Sequence, residues 1–557
     1  MNGRFFSLIL LLLAAPASAQ SGLGAEELAE LVPVPGPLRN IVENLEVQGD
    51  TLWAGQQLLF TDDGGATFNL IDDEAFTPPV ASNAIVYSLD VEGDVIWVGL
   101  GFNDNSIASR PQSAAGFAYS EDGGATWSYR FPQLDVPEDT LQTYGLSTLF
   151  ALPIIVPQLS PPFDVDYDPV TRDVWTAGLL SGLRKLEWNP ATGEYARDFR
   201  RIVLPPDTLN SISPIREVPY FFPYIPQLPG ISDAGTNFIA YSVLVDETGT
   251  VWAGTEAGIN RGRPEDVFLF QDQNTGETYE DRIWTRTGFD GTASGLLSSA
   301  VISIEEQTLG DPAFEVGSPE NPRNPVWATN WRPLATESKP GDEFGVVVTR
   351  DGGETFEAVL VGTGRIYDFG FCEGAAFCTP STVYAAGAEG LFVSDDDGTT
   401  WRTIRDFRDR DRPGRFVKRD APVYAVATTS DALWVGTGDG LLKSTDGGAT
   451  WTIFRTDVPT NPDVPTDRTP SVDAYAYPNP FSPNADTYVR IRYDEPSASI
   501  RIFDFAMNLV RSLPSAAPTE QVWDGFDESG NRVANGVYFY EVDTPSGSSW
   551  GKILVLE

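Results

Sequence analysis

An eight-residue pattern decides the fold of this chain, and its clearest copy is Ser444-Thr445-Asp446-Gly447-Gly448-Ala449-Thr450-Trp451. Four further copies keep the same spacing of Ser or Thr, Asp, Gly, Thr and an aromatic residue; they lie at 61–68, 120–127, 349–356 and 394–401. In a tight turn between two strands, the Asp accepts backbone N–H bonds, the Gly takes a positive φ and the aromatic residue packs beneath. The pattern therefore predicts repeated β-hairpins in which the following residues are structural: Asp63, Gly65, Asp122, Gly124, Asp351, Gly353, Asp396, Gly398, Asp446 and Gly448.

A second repeat is an apolar strand that contains Trp or Tyr followed by small residues. It occurs seven times, with its aromatic residue at Trp53, Trp97, Trp175, Trp252, Trp327, Tyr384 and Trp434. In the last unit, residues 423–454 divide into four short apolar segments separated by turn residues. Repeated four-stranded units around an axis are propeller blades. The sequence predicts an all-β fold with a seven-bladed β-propeller over 42–457; six or eight blades fit if the chain start or an insertion changes the count.

The two ends of the chain have a different character. Residues 1–19 have the charge, apolar run and small-residue cleavage site of a signal peptide, with cleavage between Ala19 and Gln20, and 20–41 is an N-terminal segment. Residues 458–473 are rich in Pro, Thr and Asp and predict a linker. Alternating apolar residues over 474–557 predict a small Ig-like β-sandwich. The chain is thus expected to be exported, with no transmembrane segment once the signal is removed.

Composition excludes several classes of function. The net charge of −42 disfavours binding to nucleic acid or to anionic membranes. Either a high-salt habitat or an acidic exported surface accounts for that charge. The chain has no His, which excludes His-based nucleophilic triads and His-containing zinc sites. Its two cysteines, Cys372 and Cys378, favour a short-loop disulfide over free thiols in an exported protein.

Strand parity separates the two faces of the predicted propeller. The turns formed by the eight-residue pattern, which we call the Asp turns, join third to fourth strands. Most long insertions join second to third strands or neighbouring blades and therefore lie on the opposite face. We expect ligand contacts on that second face. An aromatic insertion there, Tyr220, Phe221, Phe222 and Tyr224, is a candidate ligand-binding loop, although packing across the mouth of the propeller is the favoured explanation. The turn acids Glu256, Glu389 and Asp439 are expected to be solvated, and no cofactor or metal site is predicted.

The five Asp turns resemble the Asp-box, or BNR, repeats of sialidase-like propellers, and the Trp-Ala-Gly-Thr stretches resemble the propeller repeats of bacterial two-component sensors. Asp-box repeats occur in enzymes, lectin-like modules, assembly factors and sorting receptors, so the resemblance implies a fold more than an activity. A sialidase would need an arginine clamp, a Tyr and Glu pair and an acidic Asp. No Arg-Ile-Pro sequence occurs near the start of the propeller, and the clamp is not assigned.

The tail resembles the C-terminal sorting domains of the type IX (Por) secretion system and the related Ig-like domain of flagellar hook-capping proteins. The matching stretches are 477–483, 510–513, 523–530, 533–540 and 551–556, whereas Glu557 departs from the basic ends of many sorting tails. The resemblance implies passage across both membranes of a Gram-negative bacterium, with the type IX machinery as a partner. The tail is then removed, or the protein is fixed at the cell surface; a permanent Ig-like spacer is the alternative.

Together these features predict a secreted or cell-surface propeller that acts as a non-enzymatic binding module for an extracellular glycan or protein. The alternative is a carbohydrate-active hydrolase or lyase of sialidase type on the same propeller. A sensor or assembly factor with a protein partner is a third hypothesis.

Overall fold

The computed structural model of the protein describes residues 31–34, 37, 40–55, 57–71, 84–104, 111–226, 235–271, 278–291, 295–309, 323–333, 341–372, 374–411, 416–417, 421–455, 474–483, 486–493, 495–496, 498–516, 519–545 and 547–556. This part of the chain is all-β, as the sequence predicts, with three short 3₁₀ turns at Pro157–Leu159, Thr236–Phe238 and Pro264–Asp266. No helix in the described ranges is long and apolar enough to cross a membrane. The predicted signal peptide with Ala19 and Gln20, and the linker over 458–473, lie outside them.

Seven antiparallel sheets follow one another along the chain, each with four strands hydrogen-bonded in chain order. Sheet 1 contains β2 (Leu45–Gln48), β3 (Thr51–Ala54), β4 (Leu59–Thr61) and β5 (Phe68–Ile71), with β1 (Leu31–Val34) added outside β5. Sheet 2 contains β6 (Ile85–Glu92), β7 (Val95–Asn103), β8 (Gln112–Ser120) and β9 (Ser128–Arg130). Sheet 3 contains β12 (Pro162–Tyr167), β13 (Val174–Gly178), β14 (Gly182–Leu186) and β17 (Arg200–Arg201).

The remaining four sheets repeat this order. Sheet 4 contains β19 (Ala240–Val245), β20 (Val251–Thr255), β21 (Gly258–Gly262) and β24 (Trp284–Thr287), with β18 (Ser211–Ile212) outside β24. Sheet 5 contains β25 (Ala300–Glu306), β26 (Val326–Trp331), β27 (Gly345–Thr349) and β28 (Glu357–Val361). Sheet 6 contains β29 (Ile366–Phe371), β30 (Val383–Gly387), β31 (Gly390–Ser394) and β32 (Arg402–Ile404). Sheet 7 contains β33 (Val423–Thr428), β34 (Leu433–Thr437), β35 (Gly440–Ser444) and β36 (Thr452–Phe454).

Three hairpins are inserted into this series. Hairpin β10 (Leu141–Tyr144) with β11 (Ser147–Phe150) precedes sheet 3, and β15 (Trp188–Asn189) with β16 (Glu194–Tyr195) lies between the third and fourth strands of sheet 3. The third, β22 (Val267–Gln271) with β23 (Thr278–Arg282), lies between the third and fourth strands of sheet 4. The sequence predicts only a tight turn there, at 273–276, which lies outside the described residues; the hairpin extends the face that carries the Asp turns.

The first strands of the seven sheets contact one another in a closed ring, in the order β2, β6, β12, β19, β25, β29, β33 and back to β2. Sheets 1 and 7 share a hydrophobic cluster in which Leu45 and Leu52 pack with Trp434. The backbone N–H of Val42 donates to the carbonyl oxygen of Thr437 at 3.0 Å, which joins the start of the first sheet to the last. Burial of these apolar side chains is the main driving force that holds the sheets together.

The two sequence repeats meet at one contact between neighbouring sheets. Each aromatic residue of the second repeat lies on a second strand and is buried. A Cβ added to the Asp-turn glycine of the following sheet would lie 2.9 Å or less from such an indole in four cases, the pairs Gly65 with Trp434, Gly124 with Trp53, Gly353 with Trp252 and Gly398 with Trp327. These glycines also have φ between +83° and +89°. Glycine is therefore required twice, for the turn and for the approach of the neighbouring indole.

Sheets 3 and 4 lack the Asp turn, and aromatic rings take its place. Tyr195 of the inserted hairpin β15–β16 packs edge-on to Trp97 of the preceding sheet, with ring centroids 5.4 Å apart. In sheet 4, Trp284 packs against Trp175 of sheet 3 at 6.5 Å. Edge-to-face pairs at these distances are favourable. Each of the six second-strand indoles is thus covered by a glycine turn or by a ring, whereas Gly448 of sheet 7 packs against Ile404 and Trp451 and not against Tyr384 of sheet 6.

The tail forms two sheets around a separate hydrophobic cluster. One contains β37 (Ala474–Tyr477), β38 (Val489–Tyr493) and β41 (Glu520–Trp523). The other contains β39 (Ala498–Phe503), β40 (Leu509–Ala516), β42 (Gly536–Thr544) and β43 (Gly547–Val555). Ile491, Ile502 and Val542 are fully buried between them. The tail thus has its own core.

The contact between turn glycine and indole can be tested with a matched pair of variants. Gly124→Ala is expected to destabilise the protein by about 2–5 kcal/mol, because the methyl group adds overpacking against Trp53, 2.9 Å from the added Cβ, to the cost of a positive φ. Gly362 has a similar φ of +75° but no atom within 4 Å of its added Cβ, so Gly362→Ala should cost only about 1–2 kcal/mol. Urea unfolding of both variants measures the difference, and equal losses would show that the indole contact has no role.

Candidate functional site

A shared irregularity near the start of the first strands builds the wall of a central cavity. In sheets 2 to 7, pairing with the second strand shifts register at the same place, beside Tyr87, Phe163, Tyr241, Ile302, Tyr367 and Tyr424. A β-bulge of this kind re-aims a side chain away from the regular pleat. All of these except Tyr87 line one cavity at the centre of the ring. We call Phe163, Tyr241, Ile302, Tyr367 and Tyr424 the collar.

The cavity has a volume of about 300 Å³ and lies at the starting ends of the first strands. Each first strand runs toward the turn that leads to its second strand, on the face that carries the Asp turns. The cavity is therefore nearer the opposite face, which we call the loop face. Its size is at the lower end of the range of small-molecule sites.

Five carboxylates line the cavity, and no Lys or Arg is among its described lining residues. They come from the segment before sheet 1 and from the first strands of sheets 1, 3, 5 and 6: Glu43, Glu46, Asp164, Glu305 and Asp368. Asp90 and Asp166 lie on the same ring of strands and interact electrostatically with this set. No three acidic or cysteine side chains in the described ranges are arranged to hold a metal ion.

Four of these acids also join neighbouring sheets. Asp90 accepts a hydrogen bond from the backbone N–H of Tyr167 at 2.7 Å, which links sheets 2 and 3. The remaining bonds run from the backbone N–H of the next first strand to a carboxylate: Val243 to Asp164 at 2.9 Å, Val245 to Asp166 at 3.1 Å and Val426 to Asp368 at 2.9 Å. Hydrogen bonds to a charged acceptor are stronger than neutral ones. The acids are thus part of the scaffold as well as of the cavity wall.

Burial shifts the ionisation of the whole set. Desolvation raises the pKa of Asp90, Asp164 and Asp368 to about 7, from an ordinary value of 3.8. The pKa values of Glu46, Asp166 and Glu305 are also raised well above the ordinary range, by burial first and by the neighbouring carboxylates second. Acids of like charge in a desolvated site resist joint ionisation. The cavity therefore gains negative charge across the neutral pH range.

Asn44, Ser88 and Ser303 also line the cavity. Asn44 donates to the carbonyl oxygen of Val86 at 3.3 Å, and Ser88 donates to that of Pro162 at 3.1 Å. Ser303 is 8% exposed, and its hydroxyl has no hydrogen-bond partner in the described part of the chain. A buried hydroxyl without a partner costs about 1–3 kcal/mol, so natural structures rarely contain one without a reason. A ligand or a water molecule in the cavity would satisfy it.

The predicted Asp-turn residues have the bonds of tight turns. In the first turn, one carboxylate oxygen of Asp63 accepts a hydrogen bond from the backbone N–H of Thr67 at 2.9 Å. The other carboxylate oxygen accepts one from the hydroxyl of Thr67 at 2.6 Å. The hydroxyl of Thr61 accepts from the backbone N–H of Gly65 at 2.8 Å. Bonds of the same kind hold Asp122, Asp351, Asp396 and Asp446. Bonding to the hydroxyl and N–H of Thr67 lowers the pKa of Asp63 to about 2, so this carboxylate stays ionised as a turn acceptor.

The other predicted residues lie away from the cavity. Cys372 and Cys378 form a disulfide beside sheet 6. In the aromatic insertion, Tyr220 and Tyr224 are buried and Phe222 packs against the same cluster, whereas Phe221 is 87% exposed. That cluster contains residues of sheets 3 and 4, and the aromatic insertion does not line the cavity.

The turn acids differ from the solvated side chains that the sequence predicts. Glu256 is buried and accepts a hydrogen bond from the hydroxyl of Tyr241 in the collar at 2.9 Å. Glu389 is half exposed and pairs with Arg405. Asp439 is buried in an ion cluster with the tail. The prediction of solvation is therefore wrong for two of the three, because the collar and the tail cover them.

The ion cluster joins sheet 7 to the tail. Arg455, the residue after β36, donates to Glu520 at 2.6 Å and lies 3.6 Å from Asp439. Arg490 of β38 donates to Glu520 at 3.1 Å and to Asp439. All four side chains are at most 4% exposed. Burial alone would raise the pKa of Glu520, but Arg490 and Arg455 outweigh it and lower the pKa. The tail is therefore docked on the loop face through a charge-balanced, buried contact.

Sequence reasoning missed the acids of the first strands. In 163–167 an alternation of acidic and apolar residues marks a strand with one polar face, and Asp166 pairs across the sheet with Trp175. Glu46, Asp90 and Glu305 occupy the same position opposite a Trp in their own sheets. Aligning the first strands on the Trp repeat would have placed these four acids at one shared position, and this was the signal that could have identified them.

No family model and no curated protein matches the chain. Among solved structures, PorZ, a surface component of the type IX secretion system of Porphyromonas gingivalis, aligns over 92% of this chain and 64% of its own, at 15% identity and a TM-score of 0.39. The extracellular domain of BT4673 from B. thetaiotaomicron aligns over 93% of this chain and 87% of its own, at 12% identity and a TM-score of 0.22. The WD40 repeats of RRP9 align over 73% and 92%, at 7% identity and a TM-score of 0.35. At such low scores, none of these alignments assigns a function.

The buried acids predict a pH-dependent stability. Because their pKa values are raised on folding, the folded protein retains protons that the unfolded chain releases between about pH 4 and pH 7, and stability falls as pH rises through this range. Asp368→Asn keeps an acceptor for the N–H of Val426 but has no charge, so it should be more stable than wild type at pH 8, by on the order of 1–3 kcal/mol. The gain should vanish at pH 4.

Chemical unfolding at both pH values measures this difference. The exposed acid Glu389 supplies the control, because Glu389→Gln changes the net charge equally without touching the cavity. An equal gain from the two variants would show that overall charge, and not burial, sets the pH dependence.

Proposed function

We propose that this chain is an exported, non-enzymatic binding module, a seven-bladed β-propeller that holds its ligand in the central cavity. The seven four-stranded sheets are the blades, and the tail is an Ig-like β-sandwich of the type IX sorting kind. The protein is then secreted or displayed at the outer surface of a Gram-negative bacterium, with the type IX machinery as its export partner. An extracellular molecule is the ligand.

The observation that carries this proposal is the cavity, in which the four aromatic rings of the collar lie beside buried carboxylates. Aromatic walls with a few polar groups are typical of small-molecule sites. In the collar, Tyr367 and Tyr424 lie edge to face, with ring centroids 5.1 Å apart. Such paired rings are held in place before a ligand arrives, which reduces the entropic cost of binding.

The chemistry of the cavity favours binding over turnover. Its acids Asp164 and Asp368 accept bonds from backbone N–H groups of the next sheet, so they are held as structural acceptors. The described lining contains no Arg or Lys to clamp an anionic sugar or stabilise a developing negative charge. The raised pKa values would also suit a general acid, and this is the observation that keeps a glycoside hydrolase as the second candidate.

A screen of soluble glycans, amino compounds and short peptides by thermal shift tests the binding function. We expect at least one compound to raise the unfolding temperature of the full chain without being converted. The double variant Tyr367→Ser with Tyr424→Ser should bind that compound at least tenfold more weakly, because two rings that stack on it are lost. The matched control is Phe221→Ser, which removes a ring from the exposed insertion and should leave binding unchanged.

Chromatography of the same mixtures after incubation separates the two candidates. Unchanged compounds support the binding module. Turnover that Glu305→Gln abolishes, while Glu389→Gln does not, would establish the hydrolase instead.

We also propose that the tail remains attached as a working part of the mature protein. A protease site introduced between 456 and 473 in the full chain should leave the tail bound to the propeller after cleavage. Glu520→Gln removes one of the two negative charges that balance the buried Arg455 and Arg490, leaving Asp439 alone against both, and should weaken the contact by about 3–5 kcal/mol, enough to release the tail on size-exclusion chromatography. Asp543→Asn, on the exposed part of β42, is the control. Release of the tail from the wild-type chain would contradict this proposal.

A further inference from the structure

We propose that the cavity binds a linear polyamine, an organic cation with several ammonium groups spaced along a flexible chain. This inference rests on the proposed binding function and names its ligand class. It starts from four acids of the cavity wall, Glu46, Asp164, Glu305 and Asp368, and from the absence of Lys and Arg among the described lining residues. A buried set of acids without cations is costly, and proteins keep such sets where a ligand supplies the missing charge.

The arrangement of the acids selects the shape of the cation. Glu46, Glu305 and Asp368 approach the cavity from three different sheets, and Asp164 approaches from a fourth. No three of the described acids converge on one point as a metal site requires. A ligand with separated ammonium groups can pair with acids spread around a ring, whereas one compact metal ion cannot.

The unpaired hydroxyl of Ser303 is the second, independent indication of a ligand. Ser303 and Glu305 are two residues apart on β25, and both line the cavity. A hydroxyl can accept a bond from an ammonium group, which has three donors and no acceptor. An alkylammonium ion between Ser303 and the acids would satisfy the hydroxyl without adding another negative group.

The side chains of the collar suit the methylene groups that separate the ammonium groups of such a ligand. Tyrosine rings attract cations through their faces and cover methylene groups through their apolar area. Phe163 and Ile302 supply further apolar wall between the tyrosines. A neutral sugar would stack on the rings but would not neutralise the acids beside them. A polyamine would contact the rings and neutralise the acids.

Calorimetric titration of the full chain with spermidine tests the proposal. We expect saturable binding at pH 8 with a Kd on the order of 10 μM, and release of protons, because an ammonium group favours the ionised acids. Affinity should therefore fall at least tenfold between pH 8 and pH 5.5. Titrations in two buffers of different ionisation enthalpy count the released protons. Octanediol, a neutral chain of similar length, should not bind.

The charged and titratable groups around the ligand come from every element that forms the cavity. The acids are Glu43, Glu46, Asp90, Asp164, Asp166, Glu305 and Asp368, with Glu256 behind Tyr241. Burial raises the pKa of Tyr241, Tyr367 and Tyr424, so the tyrosines stay neutral over this pH range; Arg365 contacts Tyr367 from outside the lining. The pH dependence is therefore assigned to the acids.

Two variants separate the site from general attraction to an acidic protein. Glu305→Gln should weaken spermidine binding at least tenfold and reduce proton release, whereas Glu389→Gln on the same face should have no effect. If Glu305→Gln does not fold, Asp368→Asn replaces it, since its amide oxygen still accepts from Val426. Equal binding by wild type and the cavity variant, or no binding of spermidine at about 1 mM, overturns the proposal.

Failure here is distinct from failure of the binding module. A different compound that stabilises the protein and depends on Tyr367 and Tyr424 would leave the cavity as a binding site and exclude polyamines as its ligand. Equal binding of Mg²⁺ and spermidine, each lost in Glu305→Gln, would replace the organic cation with a simple ionic site.

Discussion

The contact between the indole of one sheet and the turn glycine of the next couples the two repeats of this chain. The second-strand Trp is buried only where the neighbouring sheet packs against it. A turn glycine with positive φ and no Cβ lets the hairpin backbone approach the indole most closely. The Asp holds that turn in shape by accepting the N–H and hydroxyl of the following Thr. Sheets 3 and 4 show the same constraint by another solution, because Tyr195 and Trp284 replace the turn. The ring of sheets depends on this contact being made between neighbours.

At the centre of the ring, stability and binding make opposite demands. The first-strand acids link neighbouring sheets through backbone N–H groups, yet their burial disfavours the charged form and raises their pKa values. An apolar residue would avoid that cost, as Ala425 of β33 shows at the position, directly after the register shift, that Asp164 and Asp368 occupy in their own sheets. The acids are concentrated where a cavity opens among the strands, and a cationic ligand is the partner that would make their charge favourable.

The second buried set of charges illustrates the opposite arrangement. Around Asp439 and Glu520, two arginines balance two acids, and the pKa of Glu520 is lowered despite burial. Within the described residues the chain thus places a charge-balanced ion cluster at the contact with its tail, whereas the acids of the cavity have no Lys or Arg beside them in its lining. This difference in charge balance, more than burial or residue type, distinguishes the structural contact from the candidate site.

The sequence by itself determined the elements that depend on local chemistry: the Asp turns, the Trp-containing second strands and the all-β class, because turn geometry and strand alternation are written within a few neighbouring residues. Only the tertiary structure decided what those elements bring together. Glu46, Asp164, Glu305 and Asp368 are far apart along the chain and became one site because the first strands meet around an axis. The hairpin β22–β23 and the burial of Asp439 likewise follow from packing between distant segments, which no local pattern encodes.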